Sequence, residues 1–121
     1  MIDHVALYVT DVDRSRRFYE QALEPLGYAV ELEMEGFVGF AHEGSMQLAV
    51  RSGKEATTTA HVAFQADDRS VVDAFHAAAT SAGGTDQGPP GVREHYHASY
   101  YAAFVADPDG NNIEAVCHKP A

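Results

Sequence analysis

Cysteine is nearly absent from this chain: Cys117 stands alone among 121 residues. A single thiol excludes an internal disulfide and every cysteine-rich zinc pattern. It fits a reducing compartment. Basic residues are scarce too, with 8 Lys and Arg against 18 Asp and Glu, for a formal charge of −10. That deficit argues against nucleic acid and anionic membrane surfaces as partners. It leaves room for a local patch that holds an anionic small molecule. No apolar run approaches the roughly 20 residues that cross a bilayer. Met1-Ile2-Asp3-His4 has neither the basic nor the apolar stretch of a secretion signal, so the cytoplasm is the expected compartment.

What is present is a core-forming composition and a duplication. Hydrophobic residues make up 45% of the chain, enough for one domain over residues 1–121. His4-Val5-Ala6-Leu7 returns as His61-Val62-Ala63-Phe64. At the same offset Phe18 returns as Phe75, Ala22 as Ala79 and Gly27 as Gly84. Two modules follow, about 1–52 and about 60–118, joined by the small polar stretch Ser52 to Thr59.

Each module reads as strand, helix and then about three strands. Ile2 to Val9 is a β-branched strand, and Thr10-Asp11 offers a cap for a helix carrying Ser15, Phe18, Tyr19, Ala22, Leu23 and Leu26 at helical spacing. Pro25 and Gly27 end it. Strands follow at Tyr28 to Met34, Phe37 to His42 and Met46 to Arg51. In the second module Ala60 to Ala66 is the strand, and Asp67-Asp68 caps a helix with Val71, Val72, Phe75, Ala78, Ala79 and Ala82 inward. Gly88-Pro89-Pro90-Gly91 reads as a loop leading to Val92 to His97. Strands Ser99 to Ala106 and Asn111 to His118 are joined by a tight turn at Asp107-Pro108-Asp109-Gly110.

Strand side chains alternate faces. The apolar set Val5, Leu7 and Val9 belongs under the helix, which sends His4 and Tyr8 to the opposite, concave face. The same reasoning puts His61 and Gln65 there. Met46, Leu48 and Val50 should face the helix, leaving Gln47 and Arg51 on the concave side. Ile113, Ala115 and Cys117 leave Glu114 there as well. Two imidazoles and a carboxylate form a facial set for a divalent metal with open positions for substrate, and the Gln47 amide oxygen can be a fourth ligand. Zn, Ni, Co, Mn and Fe all suit such donors.

On these residues the chain resembles the vicinal oxygen chelate superfamily of glyoxalases, bleomycin resistance proteins and extradiol dioxygenases. The carrying segments are Asp3 to Val9, Asp11 to Tyr19, Ala60 to Phe64 and Phe104 to Glu114. The resemblance covers nearly the whole chain. It implies an α+β fold of two βαβββ modules forming a cup-shaped mixed sheet, and a homodimer that can exchange strands or modules. It places the family's metal positions on His4, Gln47, His61 and Glu114. Bacterial-type glyoxalase I usually has Glu where Gln47 stands, so the set looks more like that of methylmalonyl-CoA epimerase. The implied function is a divalent-metal-dependent lyase, isomerase or epimerase acting on a small substrate with vicinal oxygens. The alternatives are a metal-free drug-binding protein and a metal-dependent dioxygenase.

Other residues complete the candidate site. Arg51 can hold a carboxylate or phosphate in a forked contact, and Tyr8 and Gln65 line the cleft. Arg93, Glu94, His95, Tyr96 and His97 form a polar-aromatic cluster in the segment that lengthens the second module, a candidate lid. Glu114 or His97 can move a proton, and Arg93 and Tyr96 can touch substrate. Tyr100 and Tyr101 point to opposite faces, so one belongs to the core. Parity does not choose, and Tyr101 is carried with the substrate-binding candidates. Cys117 reads as a buried, inert thiol and His118 as incidental.

Overall fold

The computed structural model describes residues 1–121. The element order is β1 (Val5–Tyr8), α1 (Val12–Leu23), β2 (Tyr28–Met34), β3 (Phe37–His42), β4 (Ser45–Arg51), β5 (His61–Gln65), α2 (Arg69–Ser81), β6 (Thr85–Val92), β7 (Tyr101–Ala106) and β8 (Asn112–Cys117). Two βαβββ modules are therefore present. The eight strands divide into two mixed four-stranded sheets, ordered β1-β4-β3-β2 and β5-β8-β7-β6. β1 runs parallel to β4 and β5 parallel to β8. The remaining pairs are antiparallel. Each module's first strand is thus the edge of its sheet.

Local chemistry sets the boundaries. Asp11 has extended backbone and its carboxylate accepts from the Arg14 N–H, capping α1. Pro25 opens a short 3₁₀ turn at Glu24–Leu26, and Gly27 stops it at φ 87°. The buried face of α1 is Ser15, Phe18, Tyr19, Ala22 and Leu23, as the spacing predicts. α2 buries Val72, Phe75 and Ala79. Leu7, Val50, Phe64, Ile113 and Cys117 join these residues in one core drawn from both modules. Cys117 is fully buried. The modules meet through their helix sides. α1 packs on α2. The Tyr28 ring stands edge-on to Phe64 with centroids 5.3 Å apart, and a Cβ at Gly84 would collide with Phe18.

One expectation fails in an instructive way. The Gly88-Pro89-Pro90-Gly91 stretch is not a loop but lies within β6. Prolines survive there because β6 is an edge strand, and its register on β7 slips between Asp86 and Gly88 and again between Gly88 and Gly91. Arg93 clasps the bend, donating to the carbonyls of Gly91 and Pro89. Beyond β6, residues 94–96 of the polar-aromatic cluster form a turn.

The turn Asp107-Pro108-Asp109-Gly110 is where expected, yet it does more than reverse the chain. Asp107 is 5% exposed. Its carboxylate accepts from the Tyr19 hydroxyl, from the backbone N–H groups of Asp109 and Asn111, and from the Asn111 amide. Asp109 accepts from the hydroxyl and N–H of Thr10. Asn111 is fully buried; it donates to the Thr57 carbonyl and accepts from Ala60 N–H. One turn of module 2 thereby grips α1 and the linker.

Tyr19→Phe should cost about 1–3 kcal/mol of unfolding free energy, because Asp107 loses a partner in a buried setting. Burial, followed by the charge of Asp107, pushes the Tyr19 hydroxyl well above its ordinary 10.0. A raised tyrosine contributes stability that is full below the unfolded-state value and is lost as pH rises through the folded one. The unchanged chain should therefore lose stability steadily above pH 10, and Tyr19→Phe should flatten that slope. Urea unfolding between neutral and alkaline pH checks both.

Candidate functional site

On the face of the second sheet turned away from the helices, β5 and β8 lie side by side with Ala63 opposite Glu114. His61 is the first residue of β5, and its Nε2 lies 2.7 Å from Glu114 Oε1. The His61 side chain is 54% exposed while that of Glu114 is 2% exposed. A buried carboxylate needs full hydrogen bonding. The Tyr100 hydroxyl meets that need by donating to Glu114 Oε2. Burial, then the Glu114 contact, raises the Tyr100 hydroxyl far above 10.0, so it keeps its proton and stays a donor. Parity thus correctly brings His61 and Glu114 together, and Tyr100 is the tyrosine of the cleft.

Tyr101, expected among the substrate-binding residues, faces the helices instead. Its hydroxyl donates to Asp73 of α2, and the Arg69 guanidinium lies 4.9 Å from its ring. Alternation makes this exchange unavoidable once Tyr100 is outside.

The first sheet presents its candidates differently. His4 precedes β1, is half-exposed, and has Nδ1 2.7 Å from Asp3 Oδ1. Gln47 departs from parity. The β3–β4 register slips between Phe40 and Ala41, so Phe40 faces Leu48 and Ala41 faces Met46, with Gln47 as the extra residue. Met46, expected under the helix, instead lies across Gly39 on the outer face, where a Cβ would meet its sulfur. The Gln47 amide oxygen accepts from the Tyr28 hydroxyl at 2.7 Å, and Tyr28 packs against the core.

A groove of about 780 Å³ runs along the free edge of β5. His61 and Gln65 line one wall, and Tyr28, His42 and Gln47 line the other, with Asp3 at the mouth. No three His, Cys, Asp or Glu side chains of one chain converge on a point. One chain therefore offers a two-donor set, the His61 imidazole and the Glu114 carboxylate. The donor types suit a divalent cation.

The segment 93–100 sits beside this pair. Tyr96 is 59% exposed and its ring lies between His95 and Tyr100. Arg93, besides its clasp on β6, lies 5.3 Å from the Phe104 ring. Both ring nitrogens of His97 are engaged: Nδ1 accepts from Ser99 N–H, and Nε2 lies 2.9 Å from His118 Nδ1. An N–H can only donate, so Nδ1 is bare and Nε2 carries the proton toward His118. His97 has no free nitrogen for the proton-moving role expected of it, and His118 is a structural partner rather than incidental. Sequence pattern missed both Tyr100 and His118; only alternation with Tyr101 hinted at the first.

With this geometry in view, the comparisons are consistent. The family model for the Glyoxalase/Bleomycin resistance protein/Dioxygenase superfamily matches residues 1–115, so the chain belongs to that superfamily. A glyoxalase/bleomycin resistance protein from Albidiferax ferrireducens is 30% identical with TM-score 0.85, covering 99% of both chains. A glyoxalase-related enzyme from Fulvimarina pelagi superposes with TM-score 0.76 at 21% identity, over 97% of this chain and 87% of that one. A lactoylglutathione lyase from Agrobacterium tumefaciens does so with TM-score 0.71 at 22% identity, over 97% and 92%. The last two show the fold alone. Curated protein sequences give no match.

Histidine-selective nitrogen NMR near neutral pH should find His97 as the Nε2–H tautomer, and His118→Ala should leave its Nδ1 still accepting from Ser99. An Nδ1–H signal would contradict the assignment.

Proposed function

We propose that this chain is a divalent-metal-dependent enzyme of the glyoxalase type, an isomerase, epimerase or lyase for a small substrate with vicinal oxygens. The observation that carries the reading is the His61–Glu114 pair, an exposed imidazole against a buried, oriented carboxylate. Its complement is an exposed His4 on the other module. Each lies at the edge strand of its own sheet, and Ile2 beside His4 is 81% exposed. A two-fold pairing of chains that brings β1 of one copy to β5 of the other supplies His4 to the partner's pair. The working unit is then a homodimer with two shared sites, and Gln47 stays with Tyr28.

A divalent cation held by these residues would supply Lewis acidity to the substrate oxygens. The chain's own residues do the rest. Tyr100 fixes Glu114 by its second oxygen, so the carboxylate presents Oε1 to the site in one orientation. Because Tyr100 keeps its proton, that orientation persists across the neutral range. His61 stands in solvent reach and can exchange its Glu114 contact for the cation. Phe104, whose ring lies 6.2 Å from His61, gives the site an apolar flank.

Protein stripped and reloaded with Ni or Zn should take up one equivalent per chain, and His61→Ala and His4→Ala should each abolish stoichiometric uptake. Tyr100→Phe should weaken metal affinity by about 10–100-fold and cost about 1–3 kcal/mol of stability, because buried Glu114 loses a hydrogen-bond donor. Uptake by the unchanged chain well below one equivalent contradicts the reading and favours a metal-free binding protein, and full retention of metal by His61→Ala contradicts the assigned site.

A further inference from the structure

On the outer face of the first sheet, Tyr8, Arg51 and Phe37 stand directly across from one another on β1, β4 and β3. The Arg51 guanidinium carbon lies 5.3 Å from the Tyr8 ring centroid and 5.8 Å from that of Phe37. The Lys54 ammonium lies 5.7 Å from the same Tyr8 ring. A chain with only 8 basic residues thus gathers two around one tyrosine. Both are exposed. Neither takes part in an ion pair; those involve Arg14, Arg16 and three histidines. Uncompensated cations clustered on a chain of charge −10 call for a ligand of opposite sign, since a local patch can attract what the whole surface repels.

The strip from this row toward His4 is low and apolar. The next outward row is Ala6, Ala49 and Gly39, with Met46 lying over Gly39. Tyr8 and His4 are four residues apart, about 13 Å at the usual strand rise of about 3.3 Å.

We propose that this row is the anion-binding end of the substrate cleft, so that the substrate carries a carboxylate or phosphate held by Arg51 and Lys54. Its middle is apolar and lies along Ala6, and its reacting oxygens sit at the His4 end. The inference rests on the metal-dependent reading for the position of that reacting end. The physics of the anion end stands by itself. Two flanking rings hold the guanidinium on the sheet, so little rotamer freedom is lost on binding. Its N–H edges remain available for a forked contact that matches carboxylate or phosphate. Lys54 adds a point charge. Arg51 is thereby a specificity-determining residue.

The test compares phenylbutanoate, phenyl phosphate and neutral phenylbutanol by calorimetry or NMR titration. It uses the full chain as purified and again after dialysis against EDTA. At least one anion should bind about tenfold tighter than the alcohol, and the better anion identifies the group recognised. Arg51→Met should bring the anion-to-alcohol ratio close to one. Lys54→Met should lower it in part, and Arg17→Met, elsewhere on the surface, should leave it alone. Equal binding of the anions and the alcohol by the unchanged chain overturns the proposal, as does a preference that survives Arg51→Met. Because the EDTA-treated protein gives the same readout, a failure of metal uptake leaves this result intact, and the two readings fail separately.

Discussion

A buried carboxylate, Asp107, organises this molecule. It accepts from Tyr19 of α1, 88 residues away in sequence, and from the backbone of its own turn. Its neighbours Asp109 and Asn111 extend the grip to Thr10, Thr57 and Ala60. Without these contacts the helix sides of the two modules would share only apolar surface, which is not directional. With them, one packing of module against module is specified, and the outer faces of both sheets are left to the site. A charged group so buried is tolerable only because its hydrogen bonds are met.

That packing explains why the candidate ligands separate. The helices meet in the middle, so the outer face of one sheet does not look at the outer face of the other within one chain. His61 and Glu114 are neighbours across β5 and β8 and need nothing further to meet. His4 belongs to the other sheet. The duplication leaves each of these histidines at an edge strand open to pairing, and on the proposed reading they mark two half-sites. On that reading a second copy of the chain, not a rearrangement of the first, would join them.

Much of this was legible in the residues. The repeated His-Val-Ala phrase gave the two modules, and alternation correctly put His61, Glu114 and Arg51 outside. β2 and β3 lie where the pattern placed them. The misreadings share a physical origin in register. One bulged residue in β4 is enough to turn Met46 outward and Gln47 toward Tyr28, and no local pattern announces a bulge. Pro89 and Pro90 read as loop because a central strand would reject them, yet an edge strand does not. The latch at Asp107 looked like an ordinary turn because its partner Tyr19 is far off in sequence. Tyr100 and Tyr101 were a symmetric choice until Asp73 and Glu114 each took one.

On the proposed reading each metal site is shared between two chains. Mixing His4→Ala chains with His61→Ala chains under conditions that exchange subunits tests it directly. In a mixed dimer one site carries both substitutions while the other has His4 from one chain and His61 with Glu114 from the other, all intact. The expected result is that two proteins unable to hold metal alone regain it, and activity with it, on mixing. Mixed dimers that form and stay metal-free contradict a site shared between chains.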